Sequence, residues 1–144
     1  MNLKKFDEFE RERVVRRQNP DRNRAMAVVK EADNKKDFLD LVLKKVTLNP
    51  NFIVDHCYDI IIENVRAIML FKGLNASGSF AHEAEVSYLG VLGFSDIEVQ
   101  FADEMRYYRN GIKYYGTILT LEYAEKVLDF FNNIYPKLKK LVKL

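Results

Sequence analysis

Apolar residues recur at steps of three and four along most of the chain, the period of helices with one buried face. Residues 3–18 are highly charged, with Leu3, Phe6, Phe9 and Val14 at roughly helical spacing, which predicts a peripheral N-terminal helix. Asn19-Pro20 reads as its stop and as the start of the next helix, because Asn can cap and Pro at a first helical position loses no needed donor. From Asp21 to Val46, the positions Ala25, Val28, Val29, Ala32, Leu39, Leu43 and Val46 form an apolar face. The polar run Asp33-Asn34-Lys35-Lys36-Asp37 interrupts it, leaving open one helix or two.

Asn49-Pro50 repeats the cap-and-start pattern. The helix after it, residues 51–72, is apolar nearly all round, which suits the centre of a bundle or a dimer seam. Its polar residues are gathered. At about 100° per residue, Asp55, Asp59, Glu63 and Arg66 fall within about a quarter of the circumference, with His56 at the edge. Gly73 suits the helix end, and residues 75–79 read as a loop. Ser79 is expected to cap a short helix carrying His82, Val86, Leu89 and Val91, ended by Gly93. Ser95-Asp96-Ile97-Glu98 has the form of a capping box and opens a helix through Met105 and Arg109 to about Tyr115, with Gly116 as its stop. Thr120 can cap the last helix, whose apolar positions include Leu121, Ala124, Leu128, Phe131 and Leu138, and which Pro136 should kink or shorten. Residues 117–120 are β-like but too short to count. The expected fold is all-α, an up-and-down antiparallel bundle of about five to six helices with short connections. One domain should span residues 1–144, with 1–18 peripheral and 19–144 forming the bundle core.

Composition agrees with a globular chain: 48% hydrophobic and 31% charged, with only six Gly and three Pro. A net charge of +2 creates no global field that demands nucleic acid. Local charge is less even: Arg11, Arg13, Arg16, Arg17, Arg22 and Arg24 crowd the start, and Lys137, Lys139, Lys140 and Lys143 the end. If the termini lie side by side, these could make one basic face. The lone Cys57 excludes an intramolecular disulfide framework and a cysteine-based zinc site. The start of the chain lacks a signal-peptide pattern and no run approaches ~20 apolar residues, so a cytoplasmic location without membrane contact is expected. The sequence contains no glycine-rich phosphate loop, nucleophile elbow or zinc spacing, and no cofactor is implied.

Candidate chemistry concentrates at residues 105–116. Three cations, four tyrosines and an Asn-Gly pair stand together there. Asp103, Tyr107, Asn110 and Tyr114 share one helical face, Arg106 adjoins it, and Arg109 and Lys113 lie further round. These groups can bind phosphate and stack on a base. They can equally pair internally, with Asp103 bridging to Arg106 and the tyrosines lining an interface. His56 and His82 are the only histidines. Asp55, Asp59 and Glu63 with His56 have ligand chemistry, but pairing of the acidic stripe with Arg66 or Arg109 explains them more simply than a metal.

Residues 51–116 resemble the HEPN superfamily, helical-bundle domains that include toxin ribonucleases of toxin–antitoxin systems and partners of nucleotidyltransferases. The resemblance rests on Asp55-His56-Cys57-Tyr58-Asp59, on Arg66-Ala67-Ile68-Met69-Leu70-Phe71-Lys72-Gly73, and on Arg106 to Gly116. By that resemblance Arg109 matches the family's arginine and Asn110 the polar residue after it, while Tyr114 stands where the histidine should be. Histidine exchanges a proton near pH 6.5, whereas tyrosine near pH 10 stays protonated, so binding survives this replacement more easily than catalysis. The resemblance therefore implies a non-catalytic, homodimeric domain. Arg106, Arg109, Asn110, Lys113 and Tyr114, with Asp59, Glu63 and Arg66, would bind RNA, a nucleotide or a protein partner such as a nucleotidyltransferase. The alternatives are a divergent metal-independent endoribonuclease using Arg109 with Tyr114, Lys113, His56 or His82, and a structural dimerising bundle.

Overall fold

The computed structural model describes residues 3–45 and 49–143. Val46, the last position of the predicted apolar face, lies outside them. Among the described residues the fold is an all-α bundle: α1 (Phe6–Arg11), α2 (Arg22–Lys45), α3 (Pro50–Phe71), α4 (Ala81–Val91), α5 (Asp96–Tyr115) and α6 (Leu121–Leu141). One small antiparallel ribbon accompanies them, β1 (Val15–Arg17) against β2 (Leu74–Ala76).

The helix starts follow their local chemistry. The Asn49 side chain accepts from the amides of Asn51 and Phe52, with Pro50 at the first helical position. Ser95 and Glu98 form the full capping box, and Thr120 accepts from the amide of Tyr123. Gly116 closes α5 in the left-handed conformation, φ 65°. Elsewhere the expectations need correction. The N-terminal helix covers only Phe6–Arg11; Arg13 then turns left-handed at φ 60°, and Val15 enters the ribbon. Asn19-Pro20 does not open α2. Asp21 does, its carboxylate accepting from the Arg24 amide at 3.0 Å. Ser79 does not cap α4, whose N-cap is Phe80 with no side-chain bond. Residues 33–37 lie within a single helix, because their charges find partners there and on neighbouring helices: Lys35 with Glu63, Lys36 with Asp40 and Lys139 with Asp33. Pro136 does not end α6, which continues to Leu141.

Helix α3 is the axis of the bundle, packed by α2, α4, α5 and α6. The Asp21 amide donates to Leu70 O at 2.9 Å, while Phe38 meets Phe52, so α2 runs antiparallel to α3. Arg109 meets Asp55, and Asn51 meets Thr117, so α5 also opposes α3. Lys139 meets Asp33, and Lys36 lies over Tyr135, so α6 opposes α2. The four helices α2, α3, α5 and α6 thus alternate as in an up-and-down bundle. Thirteen residues of α3 are buried, among them Ile53, Ile60, Ile61, Val65 and Met69, and Phe131 and Ile134 of α6 pack into the same core. The buried positions of α2, Ala25, Ala32 and Leu39, recur every seven residues and form its seam with α3. No helix among the described residues is long and apolar enough to cross a membrane.

Candidate functional site

The polar stripe of α3 is the only face of that helix carrying charge, and its members reach partners on three neighbouring helices. Arg109 of α5 donates from Nε to Asp55 and from an Nη to Asp59, both at 3.1 Å. Lys35 of α2 donates to Glu63 at 2.5 Å and stands 3.7 Å from Asp59. Arg66 donates twice to Glu85 of α4, at 2.6 and 3.0 Å. Arg106 donates to Asp103 at 2.7 Å and lies 3.7 Å from Glu83. The stripe thus fastens three helices to the axis by charge-assisted bonds, each stronger than a neutral one.

An aromatic step joins the two halves of this network. The Arg109 guanidinium lies 5.5 Å from the Tyr58 ring centre, and the Tyr58 ring is 6.4 Å from that of His82. His82 in turn stands 3.7 Å from Glu85. Burial pushes the Tyr58 phenol well above its ordinary value, so it stays protonated. Its hydroxyl, with Glu63 Oε2 and Asn64 Oδ1, is buried without a hydrogen-bond partner among the described residues. Cys57 is buried, its thiol pushed up to about 12 by desolvation, and is chemically quiet.

The two histidines differ. His56 Nδ1 lies 3.0 Å from Phe52 O, and since a carbonyl only accepts, Nδ1 carries the proton; the ring also stacks on Phe52 at 3.8 Å. It is tied to its own helix. His82 is half-exposed, and burial, helped by Arg66 and Arg109, holds it below the ordinary histidine value against the pull of Glu85. A histidine with a lowered folded pKa binds its proton more readily in the unfolded chain. Its contribution to stability is therefore present above pH 6.5 and lost as pH falls through that value to the folded one. Urea midpoints compared between about pH 7.5 and about pH 5.5 should fall further for the native protein than for His82→Asn. Equal falls would show that His82 is not the group responsible.

The residues expected to share one surface are separated. Arg109 is turned inward, its side chain 12% exposed, and Arg106 is similarly enclosed. Asn110 is half-buried, Lys113 is exposed, and Tyr114 is 73% exposed. The described residues hold no group of three or more His, Cys, Asp or Glu side chains placed for a metal ion. Three members of the network, Lys35, Glu83 and Glu85, were not among the expected site residues. Glu85 had a signal: it is the sole charge within Ala84–Leu89, all of which are buried. Around the stripe, six carboxylates (Asp55, Asp59, Glu63, Glu83, Glu85 and Asp103) face four cations (Lys35, Arg66, Arg106 and Arg109). A phosphate approaching Arg109 would meet a net negative cluster and would have to displace two carboxylates. Set against protein-family models, curated proteins and solved structures, the chain matches none.

Proposed function

We propose that the chain is a non-catalytic, HEPN-like helical domain that binds a protein, in the first place a second copy of itself, through the outer face at the end of α5. The observation that carries this reading is the division of labour along α5. Arg109 is held by Asp55 and Asp59 on the inner side, while Tyr107, Tyr114 and Tyr115 stand 59%, 73% and 85% exposed on the outer side. Ile118 and Leu121, just beyond, are 87% and 50% exposed. Five large apolar side chains exposed within fifteen residues are the material that interfaces use, with tyrosine supplying area at low entropic cost. Exposed Lys113, Glu122 and Glu125 beside the patch carry both signs, which a two-fold interface can pair across its axis. A nucleotidyltransferase partner, implied only by the family resemblance, would compete for this same face.

Light scattering at micromolar concentration should give a dimer for the native chain and a monomer for Tyr114→Glu combined with Ile118→Glu. Both positions are exposed, so the variant keeps its fold, which circular dichroism checks. A native monomer overturns the pairing. Incubation with labelled RNA, with and without chelator, should show no cleavage.

One observation favours a second reading, a divergent ribonuclease. Arg109, Tyr58 and His82 stand in sequence, and burial lowers the His82 pKa, which favours the neutral ring that a general base requires. Cleavage that disappears in both Arg109→Ala and His82→Asn would establish that reading in place of the first.

A further inference from the structure

One end of the bundle gathers charge that the fold itself leaves unused. The start of α2, the end of α3, the β1–β2 ribbon and the end of α6 meet there. The Asp21 amide donates to Leu70 O at 2.9 Å, the Arg22 guanidinium lies 5.4 Å from the Phe71 ring centre, and the Gln18 amide donates to Gly73 O at 2.8 Å. From the far side, Lys139 bonds Asp33 at 2.6 Å, and a hollow lined by Met26, Val29, Lys30 and Val142 brings the tail of α6 alongside the first turns of α2. The tail of α6, the start of α2 and the ribbon therefore lie at the same end of the bundle.

That end is basic. Between residues 13 and 30 stand Arg13, Arg16, Arg17, Arg22, Arg24 and Lys30 against one acid, Asp21, which is engaged in capping α2. Arg17 pairs with Glu10 at 2.9 Å. Among the described residues, no carboxylate lies within ion-pair distance of Arg13, Arg16, Arg22 or Arg24, and all four are exposed. Exposed Lys72, Lys140 and Lys143 add to the same end. The whole chain carries only +2, so this concentration is local.

Ordinary helix electrostatics does not account for it. Lysines at the ends of α3 and α6 complement those helix termini, but Arg22 and Arg24 lie in the first turn of α2, where the dipole is already positive and the capping Asp21 is the one acid beside them. Cations at a helix start work against the dipole, and here one capping carboxylate answers two of them. Hydrogen-bonding amides accompany them: Gln18, Asn19 and Asn23 are exposed, and Asn75 stands opposite Arg16 across the ribbon.

We infer that this basic end binds the phosphodiester backbone of a nucleic acid without reading its sequence, independently of the α5 face. Spread cations interleaved with amides match a chain of phosphates. A membrane surface is the poorer match: Met26 and Leu141, 50% and 41% exposed, are the large apolar side chains most exposed at this end, and residues 13–24 expose none to insert.

Titrating a labelled homopolymeric RNA against the full chain at several salt concentrations tests this. The native protein should bind with a steep salt dependence. Arg13→Gln, Arg16→Gln, Arg22→Gln and Arg24→Gln combined should lose tenfold or more in affinity at low salt, and the slope of log affinity against log salt should become shallower by about 3. The same four positions changed to Lys should keep the native slope, which separates charge from any effect on folding. Lys126→Gln, an exposed cation in the first half of α6, should bind as the native chain does. Native binding that is absent or independent of salt, a fourfold Gln variant that binds like the native chain, or tighter binding to phosphatidylserine vesicles than to RNA would each overturn the inference.

Discussion

Arg66→Ala is expected to lower folding stability by about 3–5 kcal/mol, because it leaves a buried carboxylate without its partner. Glu85 is 4% exposed, lies in a run of buried residues, and accepts both of its short bonds from Arg66. A loss of that size is a large part of the roughly 5–15 kcal/mol that holds a domain of this class together. Urea denaturation at neutral pH should show the midpoint falling by about 1–3 M. A fall equivalent to less than about 1 kcal/mol would mean that water reaches Glu85 and that the pair behaves like a surface one.

Two further measurements separate the unpaired charge from lost packing. Arg66→Met combined with Glu85→Leu removes both charges and should recover most of the loss, since a buried pair contributes little beyond an apolar pair of similar volume. The single Arg66→Ala variant should also respond differently to acid. His82 stands 3.7 Å from Glu85, so without Arg66 it becomes the cation that can meet this carboxylate. The native protein loses the His82 contribution as pH falls below 6.5; the variant gains a counter-charge over the same range and should lose less.

The acidic stripe was legible from periodicity, because the helical repeat alone puts Asp55, Asp59, Glu63 and Arg66 on one side of α3. The caps at Asn49, Ser95 and Thr120 were legible because each is settled within four residues. Partners were harder to read. Lys35 meets Glu63 across twenty-eight positions and Glu85 meets Arg66 across nineteen, and such pairs depend on how helices rotate against one another. The ribbon was invisible for a related reason: three residues on each side give no alternation, and pairing Val15 with Ala76 needs the whole of α2 and α3 between them. Arg109 and Tyr114 are a different case. Five residues apart, they point about 140° from each other at about 100° per residue, so periodicity already placed them on different sides of α5. The family resemblance joined them into one surface; the structure turns Arg109 toward Asp55 and leaves Tyr114 in solvent.

Gly73→Ala is the second substitution with a large expected effect, about 2–3 kcal/mol of lost stability, and it acts where α3 hands over to the ribbon. Gly73 has φ 78°, and a left-handed conformation costs about 1–2 kcal/mol for a residue bearing a Cβ. Space is the second difficulty. An added Cβ would stand 2.3 Å from the Gln18 carbonyl oxygen, a backbone atom held in place by the Gln18 amide's own bond to Gly73 O. Relieving the clash means moving the strand, which gives up that bond, about 1 kcal/mol. Gly78→Ala supplies the comparison: its φ is 85°, but nothing lies within 4 Å of the added carbon, so only the backbone strain applies. Urea midpoints should therefore fall for both variants and clearly further for Gly73→Ala. Amide exchange should locate the difference, with faster exchange at Gln18 and at Ser77, whose amide donates to Val14 O at 3.0 Å, in Gly73→Ala alone. Equal falls in the two variants would mean that the strand yields freely and that the ribbon is not fastened to the end of α3.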